Sequence, residues 1–244
     1  MLDPPCPGRR RASMPRLPAL FTDAIGRCLR PDCLACGRVP GDPVCAACRA
    51  DYFPSEVRRC RRCALAIPFG EICGACLRHP PHFDATLACA NYLPPVAGMI
   101  VALKSGGRLE LAQPLAELLA QHCANQLDTA TIVTAVPLAF ERHSERGFNQ
   151  SAEVARIAAR RLGLALDLDL LLRVKHSPPQ QSLALAARRR NVRGAYATSR
   201  QLTGESVAVI DDVMTTGATL DEIAATLKRA GAGRVTNLVL ARTP

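Results

Sequence analysis

Asp211 and Asp212 stand side by side, and Thr215, Thr216, Gly217, Ala218 and Thr219 follow almost at once. A small, hydroxyl-rich turn running into a helix is suited to a phosphate. Its backbone N–H groups point outward and the helix dipole favours an anion; Gly217 removes the Cβ barrier, and the threonine hydroxyls donate further bonds. The carboxylates would repel that phosphate, so their chemistry is different: beside it they suit a sugar diol or a Mg²⁺ ion. A ribose 5-phosphate satisfies both halves, with its phosphate on the turn and its 2′,3′-hydroxyls on the Asp pair. A lone D-D or a lone T-T-G would be an ordinary strand end and helix cap. The apolar strand, the acid pair, the turn and the helix in register point to a site.

The elements that must position these groups follow from the pattern. Residues 207–210 are four consecutive apolar residues, a buried parallel strand with the carboxylates where it ends, and residues 220–230 are the helix. Residues 131–136 read as a second buried strand, ending in Pro137-Leu138. A charged loop at 141–147 and a helix over 149–162 come next. Strand, basic loop and helix form the other half of an α/β anion site, where Arg142, Arg146 and the loop N–H groups could hold a diphosphate. By itself that loop reads equally as a solvated one. Further strands are expected at 83–92 and 234–240, and helices at 17–29, 94–103 and 110–127. Residues 173–193, rich in arginine and without core spacing, suit a mobile loop closing over an anion; a nucleic-acid patch is the rival reading. Strand, helix, strand at this spacing implies right-handed βαβ units on a mainly parallel sheet.

Eight of the 12 cysteines form four C-x-x-C pairs: Cys33/Cys36, Cys45/Cys48, Cys60/Cys63 and Cys73/Cys76. The short gaps between them, rich in Gly, Pro and Arg, cannot build a core of their own. In a reducing compartment the cross-links are Zn²⁺ ions rather than disulfides. Each pair can chelate from one tight knuckle, and two knuckles complete a tetrahedron. Four knuckles therefore make two all-thiolate structural sites. Sequential pairing gives two similar units; an interleaved arrangement is the alternative. A disulfide framework or thioredoxin-type redox centres suit four tandem pairs less well without a signal peptide or a βαβ context.

The 244 residues carry a formal charge of +10, and residues 1–80 hold 13 Lys/Arg against 7 Asp/Glu, so the basic excess is densest there. That balance fits an anionic partner but does not choose one. An aromatic share of 4% with no Trp argues against a base-stacking platform. No apolar run reaches the ~20 residues of a membrane span, so no membrane insertion is expected and the cytoplasm is the default. Residues 1–14 read as a disordered N-terminus, with Met1 and Met14 both open as the start. A helix plus two ribbons then occupies 15–80, and an α/β domain 81–244.

The run from residue 207 to 219 resembles the 5-phosphoribosyl-1-diphosphate (PRPP) motif of type I phosphoribosyltransferases. With the cysteine knuckles, Leu103-Lys104 before Gly106-Gly107, Val136-Pro137-Leu138, Arg142, Arg146-Gly147-Phe148-Asn149-Gln150, and Gln180, Leu183, Arg188 and Asn191 in one order, the chain is similar to the ComF family. Ala64 departs from it, standing where a glycine often follows the knuckle. The resemblance implies a double zinc ribbon followed by a type I phosphoribosyltransferase-like α/β domain, its mainly parallel sheet flanked by helices. It also implies two structural zinc sites, Mg²⁺ with PRPP, Pro137, Arg142, Arg146 and Gly147 in a diphosphate loop, and Gln180, Arg188 and Asn191 in a flexible loop. Family members are linked to natural competence, with single-stranded DNA and a competence helicase as partners. Two functions are therefore expected as alternatives: a pentosyl-transferring enzyme acting on an unknown acceptor, or a non-catalytic single-stranded DNA-binding factor using the same phosphate site.

Overall fold

The structure, a computed structural model, describes residues 32–54, 56–138, 147–175 and 193–244. The expected N-terminal disorder and the helix at 17–29 lie outside these residues. Two short helices, α1 (Ala46–Tyr52) and α2 (Gly74–Arg78), each start directly after a cysteine of a knuckle. They are followed by β1 (Ala85–Asn91), α3 (Val96–Ser105), a 3₁₀ turn (Leu109–Leu111), α4 (Ala112–Cys123) and β2 (Ile132–Ala135). Next come α5 (Gln150–Leu162), β3 (Ala165–Leu166), β4 (Leu171–Arg173), β5 (Tyr196–Thr198), β6 (Ser206–Met214), α6 (Ala218–Arg229) and β7 (Arg234–Arg242).

Five strands form one sheet in the order β1-β7-β6-β2-β3, and every pairing in it is parallel. Helices cover both faces, so the central strands read as continuous apolar runs. Ala208 and Ile210 pack with Leu103, Leu115, Leu119 and Val154 of α3, α4 and α5. Val207 and Val209 pack on the other side with Leu220, Ile223 and Leu227 of α6.

Several boundaries differ from the sequence reading. β6 does not end before the acid pair but runs through it to Met214, because β7 continues beside it: Asp211 pairs with Val239 and Met214 with Arg242. The helix expected to reach residue 127 ends at Cys123, and Asn125 adopts φ 65° in the turn that follows. Helix α3 starts two residues late, after Pro94-Pro95. The short strands β3, β4 and β5 were not expected. Strands β4 and β5 pair antiparallel, with Arg173 opposite Tyr196, and flank the arginine-rich segment, of which residues 176–192 lie outside the described ones.

The two cysteine groups pack on opposite faces of the sheet. Cys33, Cys45 and Cys48 join the core on the α4 side, where Arg49 Nη1 also donates to Gln121 Oε1 at 3.1 Å. Cys60, Cys63, Cys73 and Cys76 join the core of the α6 side beside Phe83 and Ala88. The knuckles thus borrow the sheet's core in place of one of their own. Among the described residues no helix is long and apolar enough to cross a membrane.

Candidate functional site

The chain leaves β2 through α5 to β3, on one side, and leaves β6 through α6 to β7, on the other. Connections that part in this way open a crevice at the carboxyl ends of the two neighbouring strands. β2 stops at Ala135, paired with Ile210, while β6 extends four residues further. Asp211 and Asp212 therefore project past the end of β2 into that crevice.

The two carboxylates are not equivalent. Asp212 is buried, with its side chain 5% exposed, and its Oδ2 takes both the Lys104 ammonium at 3.0 Å and a hydrogen bond from Gln150 Nε2 at 2.9 Å. Its Oδ1 accepts from the Val213 N–H at 2.7 Å. Asp211 is half-buried; its Oδ1 accepts from the Asp212 N–H at 2.9 Å and from Ser151 Oγ at 3.3 Å. Burial first, and the neighbouring Asp212 charge second, push the Asp211 carboxyl up to about 7. Asp212 is held; Asp211 is the more available acceptor.

Ahead of α6 the chain turns through Gly217 at φ 78°, and a Cβ there would lie 2.5 Å from Met214 Cε. The left-handed backbone favours glycine, and any larger residue would also have to displace the end of the Met214 side chain. Thr216 Oγ1 accepts from the Ala218 N–H at 3.3 Å, and the Gly217 carbonyl accepts from Asp221 N–H at 2.8 Å, closing the first turn. Thr215 is exposed, and Thr216, Gly217, Ala218 and Thr219 are half-buried. The turn presents small side chains and the α6 N-terminus at the mouth of the crevice, a shape and charge that suit a phosphate.

Across the crevice, Asn149 caps α5: its Oδ1 accepts from the Ser151 and Ala152 N–H groups, and its Nδ2 donates to the Val136 carbonyl at 3.1 Å. This fixes Gln150 and Ser151 beside the acid pair. Pro137 follows β2 half-buried, and Gly147 is exposed at φ 73°. Arg142, Arg146, Gln180, Arg188 and Asn191 lie outside the described residues.

Sequence reasoning gave no role to Lys104, Gln150, Ser151 or Arg242. Lys104 had a usable signal: it is one of three lysines in a chain with 31 Lys+Arg, and it ends a helix before Ser-Gly-Gly. Arg242 had none. Its buried guanidinium donates from Nε to the Cys63 carbonyl at 2.9 Å and from Nη1 to the Met214 carbonyl at 3.1 Å, tying the second cysteine group to the end of β6.

The cysteines group sequentially, 33/36 with 45/48 and 60/63 with 73/76, and within each group the sulfur atoms all lie within 4.8 Å of one another. The Cys45 N–H donates to Cys33 Sγ and the Cys73 N–H to Cys60 Sγ, both at 3.3 Å. Burial alone would raise the Cys33 and Cys60 thiols, yet backbone N–H donors bring them to about 6 and about 7. Burial and the neighbouring sulfurs push Cys48 and Cys76 up. Four convergent thiols with amide donors already aimed at sulfur fit a tetrahedral structural zinc ion at each group. Ala64 takes φ 56° in the second knuckle, so the turn forms without the glycine at a cost of about 1–2 kcal/mol.

The phosphoribosyl transferase domain model matches residues 98–244. A protein named DNA utilization protein YhgH from Salmonella typhimurium is 34% identical over 206 residues, covering 82% of this chain and 90% of that protein. Competence protein F of Haemophilus influenzae is 28% identical over 210 residues with the same coverages. A solved structure of glutamine PRPP amidotransferase from B. subtilis aligns at 25% identity and a TM-score of 0.37, over 52% of this chain and 25% of that one.

Proposed function

The chain belongs to the ComF family of phosphoribosyl transferase-domain proteins, and from that premise we propose that the β2–β6 crevice binds PRPP and supports phosphoribosyl transfer. The observation that carries the reading is the convergence, at one switch point, of the Asp211–Asp212 pair with the Gly217 turn. The 5-phosphate sits on residues 215–219 and the α6 N-terminus. Asp211 accepts a ribose hydroxyl, and Asp212, fixed by Lys104 and Gln150, orients it. A Mg²⁺ ion bound with the diphosphate would be held beside Asp211 and would supply positive charge for the departing oxygens. Lys104, paired with Asp212 at 3.0 Å, adds a cation to the crevice.

Transfer breaks the bond between ribose C1 and the diphosphate oxygen and forms one from C1 to a nucleophilic acceptor. The electron pair leaves with diphosphate. The transition state is cationic at the ribose, so catalysis rests on positioning and charge rather than on a Ser or Cys nucleophile. Two structural zinc ions on the knuckles would need reduced thiols, which is in keeping with a reducing compartment such as the cytoplasm.

The test compares wild type with Asp212→Asn. The variant keeps its fold and loses PRPP binding; full PRPP affinity in the variant overturns the assignment. A second reading is prompted by the relatives' names, DNA utilization and competence: the same site would serve a non-catalytic factor that handles DNA, which we propose is single-stranded DNA taken up beside a competence helicase. DNA affinity that falls steeply with salt supports this second reading, and salt-insensitive binding counts against it.

A further inference from the structure

At the opposite end of the sheet lies a cavity of about 430 Å³, between the second cysteine knuckle and the edge strand β1. Its polar lining includes Arg59, Arg61, Thr86, His122, Gln126 and Arg234. Arg234 opens β7 and Ala85 opens β1, so the cavity sits at the amino ends of these parallel strands. Arg234 pairs with Ser206, while Arg242 pairs with Met214 next to the Thr/Gly turn. Eight residues of strand, roughly 26 Å, separate the two places.

The charge here is one-sided. No carboxylate lines the cavity. Arg61 spends part of its charge on Glu71 at 3.0 Å, both side chains well exposed. Arg59 has no carboxylate within ion-pair distance among the described residues; Arg234 feels the charge of Asp84, whose carboxylate is itself held by Lys228 and the Val235 N–H. Arg59 is half-buried, and its Nη1 donates to the Ala64 carbonyl at 3.1 Å, which leaves most of the fork unspent. A partly desolvated guanidinium without a counter-ion is a costly arrangement unless an anion completes it.

The fold holds the arginines in place. Cys60, between Arg59 and Arg61, belongs to a zinc-fitting group; Arg59 bridges to Ala66, and the Thr86 N–H donates to the Arg61 carbonyl at 3.2 Å. The pocket is therefore built jointly by knuckle and sheet. Its lining has no Phe, Tyr or Trp, so the recognition it offers is charge first.

We propose that this cavity is a second phosphate-binding site, independent of the crevice between β2 and β6, which takes a phosphate group through Arg59 and Arg234. The phosphate can belong to a free nucleotide or to the backbone of a single strand; the chemistry of recognition is shared, and experiment separates the sources.

The probes are thymidine 5′-monophosphate, followed by calorimetry, and a fluorescein-labelled oligothymidylate, followed by anisotropy. Both are titrated into the zinc-loaded full chain as wild type, Arg59→Gln and Arg234→Gln, with Arg156→Gln on α5 as a control for charge alone. Each pocket variant is expected to bind at least one probe about tenfold more weakly, and the control to bind like wild type. Weakening confined to the monophosphate assigns the site to free phosphomonoesters. Weakening of the oligothymidylate, with a salt slope flatter by about one, assigns it to a phosphodiester chain. Unchanged affinity for both probes in both variants overturns the proposal, as does an equal loss in the Arg156→Gln control. Arg234 is exposed at the start of β7, away from the knuckle, so its variant remains informative even if Arg59→Gln does not fold.

Discussion

At the scale of single residues, the acid pair shows how one strand gives two identical side chains different work. Asp212 is held by an ammonium, an amide and a backbone N–H, whereas among the described residues Asp211 has no cation paired with it and its carboxyl is pushed up to about 7. Its ordinary value is 3.8, so between about pH 4 and 7 the folded state holds more protons than the unfolded chain. Stability contributed by this group is present at the acid end and lost as pH rises through that window. Asp211→Asn removes the dependence. The variant's gain over wild type in urea unfolding is expected to grow by on the order of 1 kcal/mol between pH 5.5 and 8; a difference that stays constant contradicts the burial argument. Gly217 makes a second prediction. Gly217→Ala must place a Cβ at positive φ and 2.5 Å from Met214 Cε, and is expected to cost about 1–3 kcal/mol and to weaken phosphate binding. Thermal unfolding checks the first effect and ligand titration the second. The chemistry of Asp211, Asp212 and Gly217 was legible from type and spacing. Their inequality was not, because it comes from Lys104, Gln150 and Ser151, up to more than a hundred residues away in the chain.

Among elements, the cysteine groups and β6 depend on each other. The spacing of the knuckles predicted two groups of four, and the sequential pairing is the one observed. That the groups lie on opposite faces of the sheet could not be read from spacing, since it follows from where the helices leave apolar surface uncovered. The end of β6 was misread for a related reason. Two adjacent carboxylates look like the end of an apolar strand until a longer partner, β7, offers backbone pairing as far as Arg242. Metal analysis of reduced protein is expected to give two Zn²⁺ per chain, and none would refute the ribbon assignment. Because Arg242 bridges the Cys63 and Met214 carbonyls, chelation is also expected to weaken phosphate binding at the turn after Met214. Chelated protein that keeps its full affinity would show that the bridge transmits nothing.

For the whole molecule, the parallel sheet and flanking helices were predictable from apolar runs alternating with amphipathic stretches. The strand order was not, and the order is what makes the site: β2 and β6 lie side by side with their helices departing in opposite directions, and the acids and the turn meet where they part. Strands β4 and β5, on either side of the arginine-rich segment, were not legible because they are three residues each, too short to show a period. The basic surplus near the N-terminal end resolves, in part, into a cavity between knuckle and sheet at the other end of the strands. The molecule is thus expected to meet phosphate groups at both ends of its sheet.

The measurement that tests the central claim most directly is calorimetric titration of PRPP, with and without Mg²⁺, into the zinc-loaded wild-type chain. Saturable, Mg²⁺-dependent binding with one PRPP per chain is the predicted result. No heat of binding, in protein shown to be folded and zinc-loaded, would contradict it and leave the crevice as scaffold.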